Sequence, residues 1–298
     1  MGLFRRIQQA ARQVSYRANE ALSGRRPPRM AFIHVPKTAG TSINSHFKDY
    51  IGSKKSGRCI NYRDFRSAPL ESFAEKAREA RFVSGHMPWT VFESFRDPHT
   101  FSFTFLRDPF ARLRSLYHHA ANMPSQVRDD DQVRLVRGLS LEQFLASDHP
   151  DIRYRTDNYL ARQLTGQMTF FPRTEKERAA LAEQAVHNLT TLNFVGLVES
   201  FDQDFASIAA VACLPPPPRG KRVNDSSALV QTDEKKAAIK RELDDTLKRE
   251  FFHLVEVDLR IYDHFLKLRK GEKGMALPKA LEPLAGSEAL QASDNLIS

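Results

Sequence analysis

The stretch from Met30 to Ser42 constrains the fold of this chain more than any other. Its first part, Met30 to Val35, is a short apolar run typical of a buried strand, and Thr41 and Ser42 are residues that commonly begin a helix. Between them, the small residues of Pro36 to Gly40 form a loop whose backbone N–H groups can converge on an anion at the positive end of the helix dipole. The sequence therefore predicts a strand, an anion-binding loop and a helix.

A second junction of the same kind follows further along the chain. Phe101 to Leu106 alternates like a strand, and Asp108 can cap a helix that Pro109 begins. Later segments predict one continuous helix from Tyr154 to Leu164 and a buried strand from Asn193 to Glu199. Alternating strands and helices predict an α/β fold of the P-loop-like, three-layer type, with a mainly parallel central sheet flanked by helices. Ligands of such sheets bind at the carboxyl ends of the strands.

Pro27 and Pro28 interrupt helix formation and divide the chain. We predict an N-terminal helix and linker at 1–29, a catalytic domain at 30–270 and a mobile tail at 271–298. Within the first 22 residues, apolar side chains recur at helical spacing between arginines, which indicates a basic amphipathic helix. Packing of this helix on its own domain or on a partner subunit is favoured over peripheral binding to a membrane surface.

The composition limits the class of partner and the compartment. Forty-five Lys and Arg oppose thirty-six Asp and Glu, and the net charge of +9 favours anionic partners: nucleotides, acidic glycans, nucleic acid or anionic lipid. The two cysteines, Cys59 and Cys213, lack the spacing of a disulfide framework or a zinc site. The start of the chain has neither the apolar core of a secretion signal nor a stretch of about twenty apolar residues that could cross a bilayer. We predict a cytoplasmic protein that is at most peripheral at a membrane.

The anion-binding loop differs from an ordinary P-loop. Lys37 precedes Gly40 and Thr41, whereas a P-loop places its lysine after a glycine and directly before the hydroxyl residue. The strand from Phe101 ends in Arg107, a cation at a position where a magnesium-dependent enzyme of this class places a carboxylate. The pattern predicts a site for an anion that needs no metal.

Four stretches of the chain, within residues 30 to 265, resemble one enzyme family. The loop is similar to the 5′-phosphosulfate loop of sulfotransferases, especially heparan sulfate and uronyl 2-O-sulfotransferases, through Pro36-Lys37-Thr38-Ala39-Gly40-Thr41-Ser42. The family's 3′-phosphate motif resembles Phe105-Leu106-Arg107-Asp108-Pro109-Phe110-Ala111-Arg112-Leu113-Arg114-Ser115-Leu116-Tyr117. The segment that supplies the catalytic histidine resembles Ser84-Gly85-His86, although the heparan enzymes carry His-Gly-His there. A family strand and turn are similar to Asn193-Phe194-Val195-Gly196-Leu197-Val198-Glu199-Ser200-Phe201.

The resemblance implies transfer of a sulfuryl group from 3′-phosphoadenosine 5′-phosphosulfate to a hydroxyl of a carbohydrate or glycoconjugate. It implies that His86 is the general base and that Lys37 stabilises the leaving group. A neutral imidazole suits a base near neutral pH. The resemblance also implies which residues contact the donor: Lys37, Thr38, Ala39, Gly40, Thr41, Ser42, Arg107, Ser115, Lys221 and Arg222. Of these, Arg107 and Ser115 are expected to bind the 3′-phosphate. Lys221 and Arg222 are expected to cover the nucleotide.

Two other functions stay open on the sequence alone. An ATP-dependent kinase of the P-loop type would share the sheet and the loop, and it would require Mg²⁺. A basic nucleic-acid-binding protein would suit the net charge. However, the chain lacks a recognisable motif for binding DNA or RNA bases, and we predict no nucleic-acid partner. The adjacent His118 and His119 are interpreted as structural, and Phe101, Phe103 and Phe105 as core.

Overall fold

The structure, a computed structural model, describes residues 9–14, 16, 27–52, 57–123, 131–217 and 245–272. Within them the sheet is built from β1 (Arg29–Ile33), β2 (Cys59–Asn61), β3 (Phe82–Gly85), β4 (Thr100–Leu106) and β5 (Phe194–Leu197). The strand order is β2-β3-β1-β4-β5, and each neighbouring pair is parallel. The predicted α/β fold with a parallel central sheet is confirmed.

Helices cover both faces of this sheet. From residue 27 onward, the α-helices in the described part of the chain are α1 (Gly40–Ile51), α2 (Leu70–Glu79), α3 (Trp89–Glu93), α4 (Pro109–Ala121), α5 (Asp131–Val136), α6 (Leu141–Leu145), α7 (Pro150–Thr156), α8 (Tyr159–Thr165), α9 (Glu175–Thr190), α10 (Phe201–Val211), α11 (Asp245–Glu250) and α12 (Glu256–Lys267). Side-chain caps fix several of their starts. As predicted, Pro109 begins α4 and the Asp108 carboxylate accepts a hydrogen bond from the N–H of Ala111 at 2.7 Å.

Each face of the sheet carries its own hydrophobic layer, because successive side chains of a strand point to opposite sides. Ala31 and Ile33 of β1 pack with residues of α2, α3, α8, α9 and α12 on one face. Phe32 packs on the other face with residues of α1 and α10. The alternate β4 residues Phe101, Phe103 and Phe105 are buried in this second layer, as predicted.

The prediction of one continuous helix from Tyr154 to Leu164 is wrong, because this segment belongs to two helices, α7 and α8. The chain breaks at Asn158, whose backbone is left-handed with φ of 41°. Its side chain bridges to a segment about one hundred residues away, donating to the carbonyl of His253 at 3.0 Å and accepting from the N–H of Val257 at 2.8 Å. These long-range hydrogen bonds override the local helical pattern.

The described part of the N-terminal segment packs on its own domain. Residues 9–14 and 16 are helical. Tyr16 is 4% exposed and its hydroxyl donates to the carbonyl of Ala212, while Gln9 donates to the carbonyl of Lys48 on α1. None of the helices that the structure describes is both long enough and apolar enough to cross a bilayer. The cytoplasmic location and the domain limits stay predictions, and most of 271–298 lies outside the described residues.

Candidate active site

A cavity of about 750 Å³ lies at the carboxyl edge of the sheet. β3, β1 and β4 are neighbours, so the residues that follow each of them meet at this edge. These residues include His86 after β3, Lys37 after β1 and Arg107 after β4, and all three line the cavity.

Most of the predicted site residues lie in the wall of this one cavity. Those that line it are Lys37, Ala39, Gly40, Thr41, Ser42, His86, Arg107 and Ser115. Thr38 does not line it, because its side chain is fully buried and its hydroxyl donates to the carbonyl of Val35 at 2.8 Å. That bond closes the turn between β1 and α1. Lys221 and Arg222 lie outside the described residues.

The loop between β1 and α1 has the backbone conformation of an anion-binding turn. Lys37 and Ala39 both have positive φ, at 71° and 63°, although neither is a glycine. Alternation of this kind turns successive N–H groups to one side, toward the start of α1. Gly40 is required because a Cβ there would lie 2.0 Å from Nε2 of His34.

Lys37 and Arg107 form the cationic centre of the cavity. The guanidinium of Arg107 donates from Nη1 to the carbonyl of Lys37 at 3.2 Å, which ties the end of β4 to the loop. Burial, together with the positive charge of Arg107, lowers the pKa of Lys37 to about 8. The ammonium is therefore protonated near neutral pH and loses its proton at mildly alkaline pH.

His86 is held in one tautomer. Its Nδ1 lies 2.7 Å from the carbonyl oxygen of His34, and because a carbonyl only accepts, Nδ1 carries the proton. Nε2 is then the nitrogen with a free lone pair. Burial, assisted by the charges of Arg66, Arg155 and Arg63, lowers the pKa of His86 to about 4, so the ring is neutral at pH 7.

Helix α4 also contributes side chains to the lining of the cavity. Ser115 lies two turns into the helix and is 8% exposed. Arg112, one turn before it, is 1% exposed and also lines the cavity, with its guanidinium 3.9 Å from a carboxylate oxygen of Asp258. The same carboxylate accepts from the N–H groups of Leu160 and Ala161 at the start of α8. Arg112 therefore connects α4 to α8 and α12.

A family model described as "Sulfotransferase family" matches residues 25–265. The chain belongs to the sulfotransferase family. No curated protein matches it. The match covers the whole sheet and every described residue that lines the cavity.

The charge of the cavity suits the anionic sulfuryl donor that sulfotransferases typically use. One carboxylate, that of Asp151, opposes five cationic side chains among the described lining residues: Lys37, Arg66, Arg107, Arg112 and Arg155. Guanidinium groups and backbone N–H groups donate hydrogen bonds to the oxygens of phosphate and sulfate groups. Within the part of the chain that the structure describes, no cluster of His, Cys, Asp or Glu is placed to bind a metal ion.

The family resemblance differs at Ser84, where the heparan enzymes have a histidine. Ser84 is 1% exposed and does not line the cavity. Its hydroxyl donates to the side-chain oxygen of Asn44 and accepts from the amide of Asn61 at 3.1 Å. Asn44 in turn donates to the carbonyl of Gly40 at 2.8 Å. In this sulfotransferase, Ser84 is therefore linked through Asn44 to the loop between β1 and α1.

Sequence reasoning did not find several residues of the cavity. The elements after β2 and the helices α7 and α8 contribute Tyr62, Arg66, Tyr154, Arg155 and Tyr159. No motif marks these side chains. Tyr154, Arg155 and Tyr159 reach the cavity because α7 and α8 lie over the strand ends, whereas Tyr62 and Arg66 follow β2, the neighbour of β3. His119, interpreted as structural, also lines the cavity, whereas His118 is buried. Arg112 lies within the quoted 3′-phosphate motif, and that position was its only signal.

Proposed function

We propose that this sulfotransferase moves a sulfuryl group from 3′-phosphoadenosine 5′-phosphosulfate to a hydroxyl of a carbohydrate or glycoconjugate. The observation that carries the proposal is the convergence of Lys37, Arg107 and the neutral Nε2 of His86 in one cavity. Such a site pairs a cation for the departing group with a base for the incoming one.

The donor binds along the wall formed by the loop and α4. The N–H groups at the start of α1, together with Lys37, hold the 5′-phosphosulfate. Arg107 and Ser115 hold the 3′-phosphate and so give selectivity over nucleotides that lack it. The predicted contact of Lys221 and Arg222 with the nucleotide falls outside the described residues.

Transfer forms a bond from the acceptor oxygen to sulfur and breaks the bond from sulfur to the bridging oxygen. Negative charge grows on that bridging oxygen as adenosine 3′,5′-bisphosphate leaves, and the Lys37 ammonium stabilises it. The acceptor hydroxyl gives its proton to Nε2 of His86. Although the pKa of His86 is about 4 in the protein alone, the negative charges of a bound donor favour its protonated form and raise that pKa during catalysis.

The acceptor side of the cavity supports a carbohydrate. Three tyrosines, Tyr62, Tyr154 and Tyr159, are among the lining residues, and Tyr154 is 37% exposed. Such side chains combine an apolar face with a polar edge, as the C–H and hydroxyl groups of a sugar do. Arg66 and Arg155 add hydrogen-bond donors to the lining of the same cavity as His86.

The test is direct measurement of sulfuryl transfer. The protein is incubated with radiolabelled 3′-phosphoadenosine 5′-phosphosulfate and a panel of monosaccharides, acidic oligosaccharides, glycolipids, phenols and steroids, with His86→Ala as the matched control. We expect label in at least one carbohydrate, release of adenosine 3′,5′-bisphosphate in equal amount, and loss of both with the control. Label confined to phenols or steroids would refute the carbohydrate acceptor, and hydrolysis or use of Mg-ATP without donor turnover would refute the donor.

A further inference from the structure

The carbonyl that fixes the tautomer of His86 is itself held by a second side chain. The oxygen of His34 accepts from Nδ1 of His86 at 2.7 Å and also from Nε2 of Gln163 at 3.2 Å. Gln163 lies on α8 and is fully buried. It is not part of the cavity lining, so it reaches His86 only through the backbone of His34.

The Gln163 amide bridges the two strand ends that flank His86. The same Nε2 donates to the carbonyl of Met87 at 3.1 Å, and Met87 directly follows His86 in the chain. Each of the two N–H bonds of the amide therefore meets one carbonyl, one after β1 and one after β3. Rotation of either peptide group would break a buried hydrogen bond.

The orientation of this amide is determined by chemistry. Both neighbouring carbonyls only accept, so the NH₂ group must face them and Oε1 must face away. That oxygen is buried and has no hydrogen-bond partner among the described residues. A buried acceptor without a donor is unfavourable for stability, and such a group calls for a specific explanation. The explanation here is that the amide can donate to both carbonyls only when its oxygen points away from them.

We propose that Gln163 is a positioning residue for the base. By fixing the His34 carbonyl, it keeps the proton of His86 on Nδ1 and the lone pair of Nε2 toward the acceptor hydroxyl. This inference rests on the proposed function of His86 as general base. Its structural part, control of the imidazole tautomer, can be measured without any activity.

The test compares Gln163→Met with Gln167→Met. Methionine has nearly the length of glutamine but cannot donate, and Gln167 is a matched control whose amide pairs with Gln184 at 2.7 Å near the surface. Nitrogen-15 spectra of the histidine rings, with the His86 signals assigned from His86→Ala, report the tautomer. The turnover number and the KM for the donor are measured in parallel with an acceptor that the parent sulfates.

We expect the parent and Gln167→Met to show His86 protonated on Nδ1, and Gln163→Met to show a mixture of tautomers. Turnover of Gln163→Met should fall about 10- to 100-fold, because small displacements of reacting groups have effects of that order, with the donor KM unchanged. If Gln163→Met does not fold, Gln163→Asn takes its place, since a side chain one carbon shorter cannot bridge both carbonyls. It should show the same changes to a smaller degree.

A parent tautomer and parent turnover in the folded Gln163 variant would overturn the inference. A changed donor KM with an unchanged tautomer would overturn it too, because Gln163 would then act on donor binding. A shifted tautomer in a protein that transfers no sulfuryl group would leave the structural role of Gln163 standing and reject the proposed function instead. The two failures are therefore distinguishable.

Discussion

The rate of sulfuryl transfer should decline at alkaline pH as the Lys37 ammonium loses its proton. Burial and the charge of Arg107 lower its pKa to about 8, so the protonated fraction falls from about nine-tenths at pH 7 to about one-tenth at pH 9. If only the protonated form stabilises the bridging oxygen, kcat/KM for the donor should fall about tenfold over these two pH units. At the acidic end, kcat/KM for the donor, which reports the free enzyme, should stay level down to about pH 5, because the pKa of His86 is about 4 before the donor binds.

Lys37→Arg tests the assignment of this alkaline limb. Arginine stays protonated throughout the range, so the variant should show lower activity but no decline between pH 7 and pH 9. Lys48→Arg, at the far end of α1, is the matched control and should keep the parent profile. Carbon-13 spectra of the lysine side chains would give the pKa of Lys37 independently of activity. An alkaline limb that persists unchanged in Lys37→Arg would refute the reasoning.

Three further substitutions test separate parts of the site. Arg107→Ala should weaken binding of adenosine 3′,5′-bisphosphate by about 1.5 to 3 kcal/mol more than binding of AMP, which loses only the support that Arg107 gives to the loop, and equal losses by calorimetry would place Arg107 elsewhere. His86→Ala should bind the same nucleotide like the parent but lower kcat about 10²- to 10⁴-fold, and near-parent turnover would remove it from the mechanism. Gly40→Ala should reduce the free energy of unfolding by about 1 to 3 kcal/mol in urea titrations, because its Cβ would collide with the His34 ring. An unchanged unfolding midpoint would show that this ring moves freely.

The fold could be predicted from the sequence because its signals are local. The apolar runs at Met30 to Val35 and Phe101 to Leu106 contain most of β1 and β4, and Asp108 caps the helix after β4 as predicted. The start of α1 was predicted less well: the helix begins at Gly40, before Thr41 and Ser42, and its N-cap Ala39 makes no side-chain hydrogen bond. The helix break at Asn158 could not be predicted, because the hydrogen bonds that stabilise it come from His253 and Val257. The residues near Asn158 in the sequence do not indicate these distant partners.

The same distinction applies to the cavity. Lys37 and Arg107 were found because residues that follow parallel strands meet at one edge of a sheet, whatever the rest of the chain does. Tyr159 and Gln163 were not found, because α8 is placed over that edge by contacts with Asp258 on α12. Roles that depend on such contacts become visible only in three dimensions.

The central claim, a cavity built for 3′-phosphoadenosine 5′-phosphosulfate, is tested most directly by thermal unfolding with a panel of nucleotides. A ligand at one hundred times its Kd stabilises the folded state by about 2.7 kcal/mol, which corresponds to a rise in Tm of about 5 to 10 °C for a domain of this size. We predict that adenosine 3′,5′-bisphosphate produces such a rise without Mg²⁺, and that AMP produces a much smaller one. A response to Mg-ATP alone, with none to the bisphosphate, would contradict the account.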